Sequence, residues 1–157
     1  MLKKFVISAA ALFSFSEAAH AQTVNATDPA SVVSALQNSG YRAELQKDSG
    51  GDPMIISSAE GSNYAILFYG CFKAELCRSL QFLARYENKS TLEVMNAWSQ
   101  QKRYARGYIS SDGSSALAFD LVLNDTFGNG GISKELFQTN LGIWTSTMAS
   151  FEKHIGR

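Results

Sequence analysis

The chain has 157 residues, 45% of them apolar, with 14 Lys and Arg against 14 Asp and Glu and only two prolines. That length and composition suit a globular protein with one core. Its charges alternate in sign without forming a block, which removes the basic face that nucleic-acid binding needs and favours no anionic membrane.

Lys3 and Lys4, an apolar run from Phe5 to about Phe15 and the small-residue pattern Ala19-His20-Ala21 read as an export signal cut after Ala21. An apolar run of about 11 residues is too short to span a bilayer. Residues 1–21 are therefore expected to be a signal peptide and 22–157 a single exported domain, periplasmic or secreted, with no integral membrane span after cleavage. Residue 22 is Gln rather than Cys, which argues against lipid attachment. Cleavage leaves 12 basic and 13 acidic side chains, a formal charge of −1.

Asp28 followed by Pro29 predicts an N-cap and first helical residue, with Val32, Val33 and Leu36 as the apolar stripe and Gly40 as the stop. Tyr41 to Lys47 and Met54 to Ser58 read as strands joined by a turn-rich loop. The only cysteines, Cys71 and Cys77, follow. In an oxidising compartment a bridge between them is the expectation. If it closes a hairpin, residues whose numbers sum to 148 face each other: Phe68 and Leu80, Ile66 and Phe82, Tyr64 and Ala84. One face is then apolar, and the other carries Leu67, Tyr69, Ser79 and Gln81 with the bridge. A slip of one residue would exchange the faces. The alternative, a redox-active dithiol, lacks the Cys-x-x-Cys spacing and a helix N-terminus to lower a thiol pKa.

Thr91 to Lys102, with Leu92, Val94, Met95 and Trp98, predicts a second helix. Tyr104 to Ser110 and Ser115 to Leu123 flank Asp112-Gly113, a two-residue hairpin signal. That register sets Tyr108 against Leu117, Arg106 against Phe119 and Tyr104 against Leu121. Ser133 caps a last helix, Ile132 and Phe137 have hydrophobic-staple spacing, and Phe137, Leu141, Trp144, Met148, Phe151 and Ile155 form its stripe. That stripe suits core packing; a heptad seam with a second copy is the alternative.

Signals for catalysis are sparse. The one histidine left after cleavage, His154, is expected on a solvated helix end, and two cysteines with one histidine are too few for a closed zinc site. Asp120 is expected in an ion pair with Lys102, Arg103 or Arg106. The segment from Asn124 to Gly131 has the glycines of a phosphate cradle but neither the Lys-Ser/Thr of a P-loop nor the carboxylates of a calcium loop. No enzyme and no cofactor is read from these residues.

Asn96-Ala97-Trp98, Lys102-Arg103-Tyr104-Ala105-Arg106, Leu117-Ala118-Phe119-Asp120-Leu121 and Gly130-Gly131-Ile132 make the chain resemble the YbjN-domain family, bacterial proteins labelled sensory transduction regulators. The hairpin from Tyr69-Gly70-Cys71 to Cys77-Arg78-Ser79-Leu80-Gln81-Phe82 resembles its exported branch. The resemblance runs from about residue 29 to 155. It implies an α+β fold like that of type III secretion chaperones, an antiparallel sheet of about five to six strands packed by helices in the order α-β-β-β-β-α-β-β-α, and no known catalytic residue. Export and the disulfide depart from the cytoplasmic members, which speaks against a transcriptional role. The expected function is a non-enzymatic binding or regulatory module for a protein or peptide partner, with Tyr69, Trp98, Arg85 and Arg103 as candidate contacts. For Trp98, packing of the second helix on the sheet is the competing reading. A thiol redox protein using Cys71 and Cys77, or an envelope homodimer, are the alternatives.

Overall fold

The computed structural model describes residues 23–157; the expected signal peptide, 1–21, lies outside the described residues. In chain order the elements are β1 (Thr23–Val24), α1 (Pro29–Asn38), β2 (Glu44–Lys47), β3 (Pro53–Ala59), β4 (Ser62–Tyr69), β5 (Ser79–Tyr86), α2 (Leu92–Gln101), β6 (Arg106–Ile109), β7 (Ser115–Val122), β8 (Ile132–Ser133) and α3 (Lys134–His154). Six strands form an antiparallel sheet in the order β2-β3-β4-β5-β7-β6, and β1 pairs with β8 in a separate two-stranded sheet. The fold is α+β, as expected. The small sheet escapes a sequence reading because two-residue strands are too short to show alternation.

Helix boundaries follow the capping chemistry. Asp28 accepts a hydrogen bond from the Ala30 backbone N–H ahead of Pro29, and Thr91 accepts one from Val94. Ser133 Oγ accepts from the Leu136 N–H and starts α3. Each cap satisfies one of the orphan donors of a first turn.

The hairpin of β4 and β5 has the expected register, with Phe68 opposite Leu80 and Ile66 opposite Phe82, and Cys71 is bonded to Cys77. Its inward face, Tyr64, Ile66, Phe68, Leu80, Phe82 and Ala84, is buried. Onto it α3 lays Phe137, Leu141, Trp144, Met148 and Phe151, all buried. At about 1.5–3 kcal/mol per large apolar side chain, this one helix face contributes on the order of 10 kcal/mol before conformational entropy is counted. Phe82 lies at the centre, with ring centroids 5.6 Å from Trp144, 6.1 Å from Phe119 and 6.3 Å from Phe137. The α3 stripe is thus spent inside the chain rather than on a second copy.

The β6–β7 hairpin differs from expectation by one residue. Arg106 faces Ala118, Gly107 faces Leu117 and Tyr108 faces Ala116. The loop holds three residues, not two: Ser110 N–H donates to the Ser114 carbonyl, Gly113 takes a left-handed φ of 83°, and Asp112 accepts from the Ser114 N–H and hydroxyl. A three-residue loop with glycine at the left-handed position is the next most common hairpin closure. The energetic reason is plain, since the two-residue register would have turned Arg106 into the core against Phe119. Instead Gly107 faces inward, where β6 passes so close beneath α2 and α3 that an added Cβ would lie 2.7 Å from Phe151 and 3.0 Å from Trp98.

His154 also departs from expectation. It is half-buried, with Nε2 placed 2.9 Å from the Val94 carbonyl oxygen and its ring 5.4 Å from that of Trp98. It ties the end of α3 to α2.

Candidate binding face

All the large core rings lie on the helix side of the sheet, so the alternating residues of the same strands point away from every helix. On the central strands these are Ala65, Leu67 and Tyr69 of β4 and Gln81, Leu83 and Arg85 of β5. Met54 and Ile56 of β3 join them, because Met54 pairs with Leu67 and Ile56 with Ala65. None of these eight is buried, whereas Ile55, Ile66 and Phe82 beside them are. An antiparallel sheet covered on one face only is expected to show polar residues on the other. Here five of the eight outward positions are apolar.

Met54, Ile56, Ala65, Leu67, Leu83 and Arg85 line a shallow concavity of about 510 Å³. Beside it, beyond the Leu83–Ala118 pair, a second depression of about 320 Å³ is lined by Lys102, Arg103, Tyr104, Arg106, Ala118 and Asp120. The pleat therefore presents an oily strip with a polar flank. In that flank Gln81 Nε2 donates to Asp120 Oδ1 at 2.7 Å, and Arg106 pairs with Asp120 Oδ2. Both Arg106 and Asp120 are about half exposed, so the pair fixes local geometry more than it adds stability. Tyr69 stands at the end of the strip; burial, then the nearby Tyr108 and Asp120, push its hydroxyl above the ordinary tyrosine range.

Of the residues singled out from sequence, Tyr69 and Arg85 lie on this face, and Arg85 is 3.8 Å from the Asp112 carboxylate. Arg103 lies at its margin, with its guanidinium 5.4 Å from the Tyr104 ring. Trp98 is not part of the face. It is fully buried between α2 and α3, its ring 4.9 Å from that of Phe151, and its indole N–H donates to the Ala105 carbonyl at 3.0 Å. Of the two readings of Trp98, packing is the one the structure shows.

The strip residues Met54, Ile56, Ala65, Leu67 and Leu83 were not read as site residues. The signal was present in the parity of the disulfide hairpin, which turns Leu67 and Leu83 away from Phe68 and Phe82.

The bridge lies elsewhere. Cys77 is buried in the core cluster and Cys71 packs against it. The carboxylates that sequence reading weighed for catalysis are engaged in structure: Asp112 with Ser114, Asp120 with Arg106 and Gln81, and Asp125 with the N–H groups of Phe127 and Asn129. These hydrogen bonds hold the Asp112 and Asp125 carboxyls below the usual aspartate range. Among the described residues no three His, Cys, Asp or Glu side chains gather where a metal ion could be held.

The model of the YbjN family, described as "Putative bacterial sensory transduction regulator", matches residues 28–157. No curated protein and no solved structure matches the chain.

Proposed function

The chain belongs to the YbjN family, and from that premise we propose that it is a non-enzymatic, exported binding or regulatory module that holds a protein or peptide partner on the uncovered face of its sheet. The observation that carries this reading is the strip of Met54, Ile56, Ala65, Leu67 and Leu83, apolar and, among the described residues, free of any helix, edged by Tyr69 and Arg85. A large apolar patch rimmed by polar groups is the usual mark of an interaction surface. Aromatic and arginine side chains at its edge are the residue types that anchor interfaces. Export is read from the N-terminal signal; the face and the family support the binding reading.

The two alternatives fare less well. A dithiol that exchanges with substrates is activated by a setting such as a helix N-terminus that lowers a thiol pKa, and Cys71 and Cys77 both lie in the loop between β4 and β5, on no helix. A homodimer through α3 would need the apolar stripe that the sheet already covers.

Crosslinked capture from an envelope extract tests the proposal when run on paired variants. Leu67→Glu and Leu83→Glu place charge in the strip, while Gln138→Glu places it on an exposed position of α3. The parent and Gln138→Glu proteins are expected to enrich the same partner, and the strip variants to lose it by tenfold or more. Equal enrichment by all four proteins would remove the sheet face from the reading.

A further inference from the structure

Nine large hydrophobic side chains are exposed among the described residues, and five of them crowd one end of the molecule: Tyr69, Phe72, Leu76, Val122 and Phe127. Their clustering follows from topology. Tyr69 ends β4 and Val122 ends β7, and both pair with Ser79 at the start of β5. Beyond them two loops project. One is the disulfide loop carrying Phe72 and Leu76, 64% and 52% exposed; the other carries Phe127, 87% exposed. The loops are neighbours, since a Cβ added at Gly128 would lie 3.9 Å from Leu76 Cδ2.

These tips are held out at a conformational cost. Lys73, Ala74 and Leu76 all have left-handed φ values of 53°, 60° and 48°, although none is glycine. Phe72 and Glu75 exchange two backbone hydrogen bonds across that turn, and the Cys71–Cys77 bond closes it from behind. Strain of about 1–3 kcal/mol per such residue persists only where the surroundings enforce it. The second loop is fixed by the Asp125 carboxylate accepting from Phe127 and Asn129. Both apolar tips are therefore convex and preset, a shape that inserts into a soft surface instead of receiving a ligand.

The N-terminus selects the surface. The first described residues run along the same end: the Ala26 N–H donates to Asn124 Oδ1, Asn25 Nδ2 donates to the Gly130 carbonyl, and a Cβ at Gly131 would lie 3.2 Å from Thr23 Cβ. Eight peptide steps lead from Phe15, where the apolar run ends, to Thr23. Extended, they span at most roughly 28 Å. While that run is still attached and held in a bilayer, this end of the domain is the one that faces the lipid.

We infer that Phe72, Leu76 and Phe127, backed by Val122, form a lipid-facing tip that docks the domain on a bilayer surface by shallow apolar insertion. Lys73 and Arg78 near the tips are offset by Glu75 and Asp125, so insertion is apolar and insensitive to anionic lipid. The inference rests on the export reading for the membrane it meets and is independent of the partner-binding strip.

Cosedimentation of residues 22–157, which contain every described element, with vesicles of phosphatidylethanolamine and phosphatidylcholine tests it. The parent protein and Leu92→Ser, an exposed leucine at the opposite end of the molecule, are expected to bind alike. The triple variant Phe72→Ser, Leu76→Ser, Phe127→Ser is expected to bind at least tenfold more weakly, and added phosphatidylglycerol to change little. Should the triple variant melt lower than the parent, Phe127→Ser alone decides, with weaker vesicle binding at an unchanged melting temperature. No vesicle binding by the parent, or binding undiminished in these variants, overturns the inference. Loss of protein capture by the triple variant without vesicle binding by the parent would make the tips a protein contact and overturns it equally.

Discussion

Two single residues show how tightly the helix side is packed. Gly107 is glycine because β6 lies against Phe151, Trp98 and Met95 with no room for a methyl group. Gly107→Ala is expected to destabilise the domain by about 1–3 kcal/mol in urea unfolding, the usual result of overpacking; an unchanged midpoint would show that α2 and β6 separate easily. Tyr64 carries a pH consequence. Burial under Trp144 pushes its hydroxyl from the ordinary value up to about 12. The core thus holds the neutral phenol, so its contribution is complete below pH about 10 and lost as pH rises through about 12. Tyr86 is shifted in the same direction, first by burial and then by Glu152. Urea midpoints are expected to fall between pH 9 and pH 11, and Tyr64→Phe, which keeps the ring volume, to lessen that fall while changing stability little at pH 8. A fall as steep in the variant as in the parent would place the titration elsewhere.

Among the elements, those with strong local chemistry were legible before the structure. The caps at Asp28 and Ser133, the stripe of α3 and the disulfide hairpin each carry a residue-level reason for their place. The β6–β7 register was misread because Asp112-Gly113 was given a two-residue turn. Weighing the charge of Arg106 against a core position would have corrected it. His154 was read from its position near the chain end, while its contact with Val94 comes from a helix 60 residues away that no local pattern specifies. The oily strip was legible only in part, since parity names outward positions but does not say whether a helix covers them.

The disulfide hairpin yields its own expectation. Closing so short a loop is worth roughly 2 kcal/mol. Cys71→Ser with Cys77→Ser should therefore lower stability by about that amount and leave the circular dichroism of the fold intact. The reduction potential of the native pair should lie below about −300 mV. A potential near those of thiol oxidoreductases would revive the redox alternative.

At the scale of the whole molecule, the three helices among the described residues and the aromatic core share one side of a six-stranded sheet and leave the other side without a described helix. The asymmetry is the basis of the functional proposal: one face holds the fold together while the other keeps Met54, Ile56, Ala65, Leu67 and Leu83 only half-buried. An exposed edge strand is a hazard that proteins blunt with charge, and Glu44 and Lys47 of β2 do so here. That charge disfavours strand pairing along the β2 edge. The most direct measurement places a photo-crosslinking side chain at Leu83, on the strip, and in a separate protein at Ser146, exposed on α3, and irradiates each in the envelope. A discrete protein adduct from position 83 and none from position 146 is the predicted result. Adducts from the helix side alone, or from neither position, would contradict the assignment of the bare sheet as the binding surface.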